Sequence, residues 1–366
     1  MISRSKYILP IRLQLCIALL MIVALHSCTP QPNTNTSTQR SYRMGFQNSA
    51  PNYYDFNKVL QTLYMWMTRA DAAIISTQVP WDSLYSGETP QQYVAHNYTG
   101  LVSYYRGKNL KLWVYIDPAN GLNRAADATD LSALGKSIAQ SGPQHVYRRF
   151  CLVMDSMLKP DHMGLALETN LIRGLSPDSI YKGVKTAANS AATDIASFDP
   201  AVKLSVSVQV DWAWGLLSGG SYLGVAQDFT DFPFIQELGF SSYPYFVYNQ
   251  PQDIPADYYS RIIQGHAIPV FVSEGGWSSQ KVGTYDETTQ KQAGYITKQL
   301  QLLDNVNAIA VFQLAFTDID INAFPSGTPA NLSQFAYIGL ADSSLKAKPA
   351  LSLWDLAFNK PLQAGH

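Results

Sequence analysis

From Ser41 onward, a short apolar or β-branched run is followed by a helical stretch, and this happens eight times. No other feature restricts the fold as much. Strands separated by helices cannot pair as hairpins, so each must run parallel to the last with its helix outside the sheet. The expected strands are Tyr42–Gln47, Ala72–Thr77, Leu110–Ile116, His162–Glu168, Lys203–Val210, Gly239–Tyr243, Pro269–Glu274 and Ala308–Leu314. Between them, Phe56, Val59, Leu60 and Leu63 keep helical spacing, as do Ala293, Ile296, Leu300 and Leu303. A last helix is expected over Ala350–Phe358, after Pro349. Eight such units in one domain predict a closed (β/α)8 TIM barrel of class α/β. The alternative, an open doubly wound sheet, calls for a Gly-rich phosphate turn after the first strand. Here Gly45-Phe46-Gln47-Asn48 continues into Ser-Ala-Pro instead. The chain is longer than such a barrel needs, and the surplus falls in Asn120–Pro160 and Thr317–Gln334.

Ahead of the barrel the text is of another kind. Arg4, Lys6 and Arg12 precede a largely apolar run from Leu13 to Leu25, too short to span a bilayer, which takes about 20 residues. Leu25-His26-Ser27-Cys28 resembles a bacterial lipobox, with ordinary secretory cleavage as the alternative. The expected division is a signal peptide over 1–27, a flexible polar tether over 28–41 and a barrel over 42–366. Lipidation at Cys28 would anchor the protein to a membrane of the bacterial cell envelope. With Cys16 removed and Cys28 acylated, Cys151 is left alone, so no disulfide framework is expected. Cys151 lies in an amphipathic helical stretch and reads as a buried structural thiol.

A net charge of −1 offers no basic stripe for nucleic acid. The six histidines are scattered without ligand spacing, so no metal is expected, and no cofactor motif is present. The absence of Gly-x-Ser-x-Gly disfavours a serine hydrolase.

In a (β/α)8 barrel, sites gather where the strands end. Strand four reads H-M-G-L-A-L-E-T-N; period-two alternation places Gly164, Ala166 and Glu168 on the axial face and Leu165 and Leu167 toward the helices. Strand seven, I-P-V-F-V-S-E-G-G-W-S-S, delivers Glu274 in the same way, with Val270 and Val272 below it. Two carboxylates facing one mouth are what glycoside hydrolysis requires, one protonated to assist the leaving oxygen and one ionised. Around them, Asp117, Asn170, Asp211, Trp212, Trp214, Tyr243, Tyr245, Trp277 and Gln313 fall at or after strand ends. Rings beside amides and acids suit a ligand with apolar CH faces and many hydroxyls. Catalysis is thus expected from Glu168 and Glu274, and sugar contacts from the others.

Ser242-Tyr-Pro-Tyr-Phe-Val-Tyr248, followed by Val272-Ser-Glu-Gly-Gly-Trp-Ser-Ser279, resembles the plant-type β-1,3-glucanases (family 17). Their text runs approximately Y-P-Y-F-A-Y, then S-E-T-G-W-P-S. More broadly the chain is similar to glycoside hydrolase clan A, which includes the endo-β-1,4-galactanases (family 53). The resemblance implies a (β/α)8 barrel, Glu168 as acid/base, Glu274 as nucleophile and Tyr243 hydrogen-bonded to the nucleophile. It implies retention at the anomeric carbon and an oligo- or polysaccharide substrate, cleaved internally by a monomeric enzyme. Strand four departs from the pattern, with Leu167 where the clan places an Asn; Asn170 is the nearest substitute. Gly275 replaces a Thr. The competing reading is a non-catalytic carbohydrate-binding lipoprotein on the same scaffold.

Overall fold

The computed structural model describes residues 38–324 and 328–364; the signal segment 1–27, Cys28 and most of the tether lie outside them. The strands are β1 (Arg43–Gln47), β2 (Ala72–Gln78), β3 (Lys111–Asp117), β4 (His162–Gly164), β5 (Lys203–Gln209), β6 (Glu237–Ser242), β7 (Val270–Gly275) and β8 (Ala308–Gln313). All pair in parallel, in chain order, and β8 closes on β1 through Met44 opposite Val311. The expected single-domain (β/α)8 barrel is the observed fold. The end of the expected tether belongs to it, since buried Arg40 pairs with Asp71 at 2.6 Å and bridges Leu362.

Two apolar layers hold the barrel. Outward residues such as Val114, Val206, Phe240, Val272 and Val311 pack under the surrounding helices. Cys151 lies in this layer on the helix Ser141–Leu158, and burial pushes its thiol well above the ordinary range. The inner layer is formed by Ala72, Ile74, Trp113, Tyr115, Leu167, Phe271, Ala310 and Phe312. A closed barrel has fixed internal volume, so large rings must face small residues. A Cβ at Gly164 would lie 2.3 Å from the Tyr115 ring, and one at Gly239 would lie 2.6 Å from its hydroxyl oxygen. Tyr115 therefore fills the axis, hydrogen-bonded to Ser205 at 2.9 Å, and forms the floor beneath the mouth.

The two surplus segments meet over that mouth. Part of Asn120–Pro160 forms the long helix Ser141–Leu158, while its first residues turn across the barrel end. Asn331, in the loop after β8, donates its amide to Leu122 O at 2.6 Å, and Tyr245 donates its hydroxyl to Gln334 O at 2.7 Å. These bonds hold the two segments beside a cavity of about 440 Å³.

Candidate active site

Both glutamates reach the cavity, by routes that strand periodicity does not describe. β4 ends at Gly164, four residues before Glu168. Leu165 and Ala166 both pack in the outer layer and Leu167 in the inner one. The expected alternation through Glu168 is therefore corrected, and Leu167 points inward. The segment instead follows β5 by bonds between the two chains. Leu165 N–H donates to Ser205 O at 3.0 Å, and Ser207 N–H donates to Ala166 O at 3.0 Å. The Ser207 hydroxyl accepts from Glu168 N at 2.9 Å. Asn170 completes the splint, donating to Gln209 O at 2.9 Å and accepting from Gln209 N at 2.8 Å. Held this way, Glu168 takes the left-handed backbone, φ 50° and ψ 47°, as the cap of the helix Thr169–Leu175. A non-glycine residue there costs on the order of 1–3 kcal/mol and persists only where its surroundings fix it.

Glu274 arrives through a bulge. Phe271, not Val270 or Val272, faces the barrel interior. Alternation from Phe271 would send Glu274 outward. The register slips instead: Phe240 lies opposite Val272, but Ser241 lies opposite Glu274. The extra residue, Ser273, donates its hydroxyl to Phe240 O at 3.1 Å. A bulge of this kind re-aims one side chain, and here it turns Glu274 into the cavity.

Ser241 joins the two acids. Its hydroxyl donates to Glu168 Oε1 at 2.6 Å and also favours the ionised form of Glu274. Ser241 also lies opposite Glu274 in the β6–β7 register, and both carboxyls line the same cavity. The other Glu168 oxygen accepts from Arg124 Nε at 2.7 Å, and Arg124 Nη1 bonds Asp117 Oδ2 at 2.5 Å. Burial opposes the Arg124 charge, but Asp117 and Glu168 outweigh it and raise its pKa. Burial and the neighbouring Glu168 charge push Glu274 up to about 8, against a smaller lowering by Arg124 and Ser241. Burial and mutual repulsion thus favour a pair that holds a single proton, shared between two acids beside one guanidinium. A singly protonated pair can supply both a proton and an anionic oxygen, which is the requirement stated for the sequence.

Of the expected contact residues, Tyr243 is the one that lines the cavity among the described residues. No hydrogen bond joins it to Glu274 there; its ring meets Phe335 edge-on at 5.0 Å. Asp117 sits behind Arg124 and accepts from Ala119 N at 3.0 Å. Asn170 is the splint. Asp211 is fully buried, accepting from Tyr258 and Gln209, and burial raises its carboxyl to about 6. Trp212 covers Gly174, and Trp214 donates to Tyr258 O at 2.9 Å while Arg261 stacks on its ring. Trp277 donates to Glu287 at 2.5 Å beside Tyr245. Gln313 follows inward Phe312, so it points outward and donates to Gln299 at 3.0 Å. These side chains support the mouth from behind through the protein's own bonds. Arg124, Ser241 and Ser207 went unread in the sequence. For Ser241 a signal existed, since Glu237, Gly239 and Ser241 alternate with outward Leu238 and Phe240. For Arg124 there was none, because it lies in an irregular loop.

No family model matches the chain, and no curated protein matches it. Solved structures do. The chain is similar to the GH53 catalytic domain of Ignisphaera aggregans at 15% identity, covering 86% of this chain and 95% of that one, with a TM-score of 0.58. It is similar to native xylanase 10B of Thermotoga maritima at 13% identity, covering 87% and 95%, TM-score 0.58. A third match is a GH5 protein of Bifidobacterium longum in complex with Manβ1-4GlcNAc, at 14% identity over 88% and 80%, TM-score 0.60. These structural neighbours are glycoside hydrolases. At such identities the likeness establishes the shared barrel, and the chemistry rests on the residues described above.

Proposed function

We propose that the protein is a retaining glycoside hydrolase acting on β-linked glycosides, with Glu274 as nucleophile and Glu168 as acid/base. The observation that carries this reading is the pair of carboxyls lining one cavity, where the charge of Glu168 raises Glu274. Retention calls for carboxyls ~5–5.5 Å apart, inversion for ~6.5–9.5 Å. In the first step Glu274 attacks the anomeric carbon, the glycosidic bond breaks, and the leaving oxygen takes a proton from Glu168. In the second, Glu168 takes a proton from water, whose oxygen displaces Glu274.

For the first step the pair's proton must sit on Glu168, and Arg124 must release Glu168 and stay with Asp117. Ser241 lies between the two acids and can accept one proton while giving up the other. The charge of Arg124 on Glu168 is also the specific observation favouring the second reading, a carbohydrate-binding protein without turnover. Hydrolysis of a panel of β-glucosides, galactosides, mannosides and xylosides separates the two. Loss of that activity in Glu274→Ala supports the assignment, while wild-type activity in the variant would sink it. Proton NMR of the first-formed anomer tests retention.

The cavity of about 440 Å³ is at the small end of small-molecule sites. The narrower resemblance to plant-type β-1,3-glucanases rests on 242–248 and 272–279 alone. Residues 1–28 support export and lipid attachment at Cys28 to the bacterial cell envelope. Radiolabelled palmitate incorporation that is lost in Cys28→Ala would test the anchor.

A further inference from the structure

We propose that the leaving-group side of this cavity accepts an apolar aglycone, an alkyl or aryl group, in place of a second sugar. The inference rests on the glycosidase reading, because it takes Glu168 as the group that protonates the leaving oxygen. Whatever departs on that oxygen must pass beside Glu168.

Besides Arg124 and Ser241, which bond its carboxyl, Glu168 shares the cavity with a set of aliphatic side chains. Leu171 and Leu175, about one turn apart on the helix Thr169–Leu175 that Glu168 caps, share one helix face, and all three residues line the cavity. Leu217, from the loop after Trp214, lines the same cavity. Leu175 is 46% exposed and Leu217 39%, so this wall is open and not part of the packed core.

Gln209, which lines the cavity, and Asn170 and Arg173, on the same helix as two of the leucines, are already engaged. Gln209 accepts from Trp212 N at 2.6 Å and donates to Asp211 at 3.1 Å. Asn170 is committed to the Gln209 backbone. Arg173 is paired with buried Asp228 at 3.0 Å. A second sugar would set several hydroxyls against leucines, and each hydroxyl buried without a partner is costly. An alkyl or aryl group meets no such penalty and gains by removing the leucines from water.

The test uses the intact protein and matched β-glycosides of glucose, galactose, mannose and xylose. Each sugar carries methyl, butyl, hexyl or octyl, or a second sugar, and alkyl members are kept below their micelle concentrations. The expected result is a rise in kcat/KM of up to about fourfold per added methylene, the size of one buried CH2. Leu175→Asn and Leu217→Asn should each lower the octyl-to-methyl ratio by about fivefold or more. Both positions are exposed, so the variants are expected to fold, and melting temperatures verify this. Hydrolysis that is flat with chain length, or fastest on disaccharides, would overturn the apolar leaving group and leave the glycosidase standing. No hydrolysis of any member would overturn both.

Discussion

Arg124 donates its Nε–H to Glu168 Oε2 at 2.7 Å, inside the barrel mouth and with both side chains nearly closed to solvent. The same guanidinium holds Asp117. One cation thus links the end of β3 to the residue that caps the helix after β4. Removing one partner of a buried ion pair leaves the others uncompensated and typically costs about 3–5 kcal/mol. Arg124→Met is therefore expected to lower the thermal midpoint by several degrees. Arg124 also lowers the Glu274 pKa. In the variant, the alkaline limb of the kcat/KM profile should move to higher pH. A limb that stays in place would show that Arg124 acts on packing alone.

Ser241→Ala removes the hydroxyl between the acids. A hydrogen bond to a charged group is worth about 1.5–3 kcal/mol, which corresponds to a tenfold to hundredfold fall in kcat if the bond serves the reaction. Ser241 lowers the Glu274 pKa, so the alkaline limb should again rise. Ser241→Thr retains a hydroxyl and should recover part of the rate. Unchanged kcat in the alanine variant would remove Ser241 from the proton path.

Glu274 makes stability depend on pH. Its carboxyl titrates near 4.5 when unfolded and near 8 when folded, because burial and Glu168 resist its charge. The folded state therefore binds the proton more tightly. From this group, stability falls as pH rises between those values, and the loss is complete above about 8. Glu274→Gln lacks this loss. Urea unfolding at pH 5 and pH 9 should show the variant gaining on the wild type at the higher pH. A constant difference between the two would contradict the raised carboxyl. The same proton sets the alkaline limit of activity, with kcat/KM declining through an apparent value near 8 that belongs to the pair.

Asn170→Ala cuts both bonds between the capping segment and the β5 backbone at Gln209. It leaves the buried Gln209 N–H unpaired, at a cost of about 1–3 kcal/mol. The left-handed Glu168 loses part of what enforces it. Melting should drop, and kcat should fall with little change in KM, since the acid is displaced while the rest of the cavity wall is kept. A substrate-contact role for Asn170 would instead raise KM without lowering the melting temperature.

The alternation of short strands with helices made the barrel legible, because parallel pairing with outer helices is the arrangement that lets every segment bury its apolar face. That Glu168 follows β4 and Glu274 lies at the end of β7, both at the mouth, was legible for the same reason. The orienting detail was not. Strict alternation places Glu168 above Ala166 and Glu274 above Val272, whereas the first is turned by a left-handed cap and the second by the Ser273 bulge. A bulge depends on how two strands meet, and neither strand records it alone. The aromatic residues after β5, β6 and β7 were visible as a cluster, but composition cannot tell a ring facing a ligand from one facing another ring.

By itself, then, the sequence determined the barrel, its order and the two acids at its mouth. These follow from local periodicity, which each segment carries independently of the rest. Only the tertiary structure decided that the Ile268–Ser279 stretch aims Glu274 at a cavity, and that Ser241 and Arg124 divide Glu168 between them. It also decided that leucines line the wall beside the acid. Those relations join residues far apart in the chain. Their energies come from burial, charge and close approach, which exist only once the strands have closed.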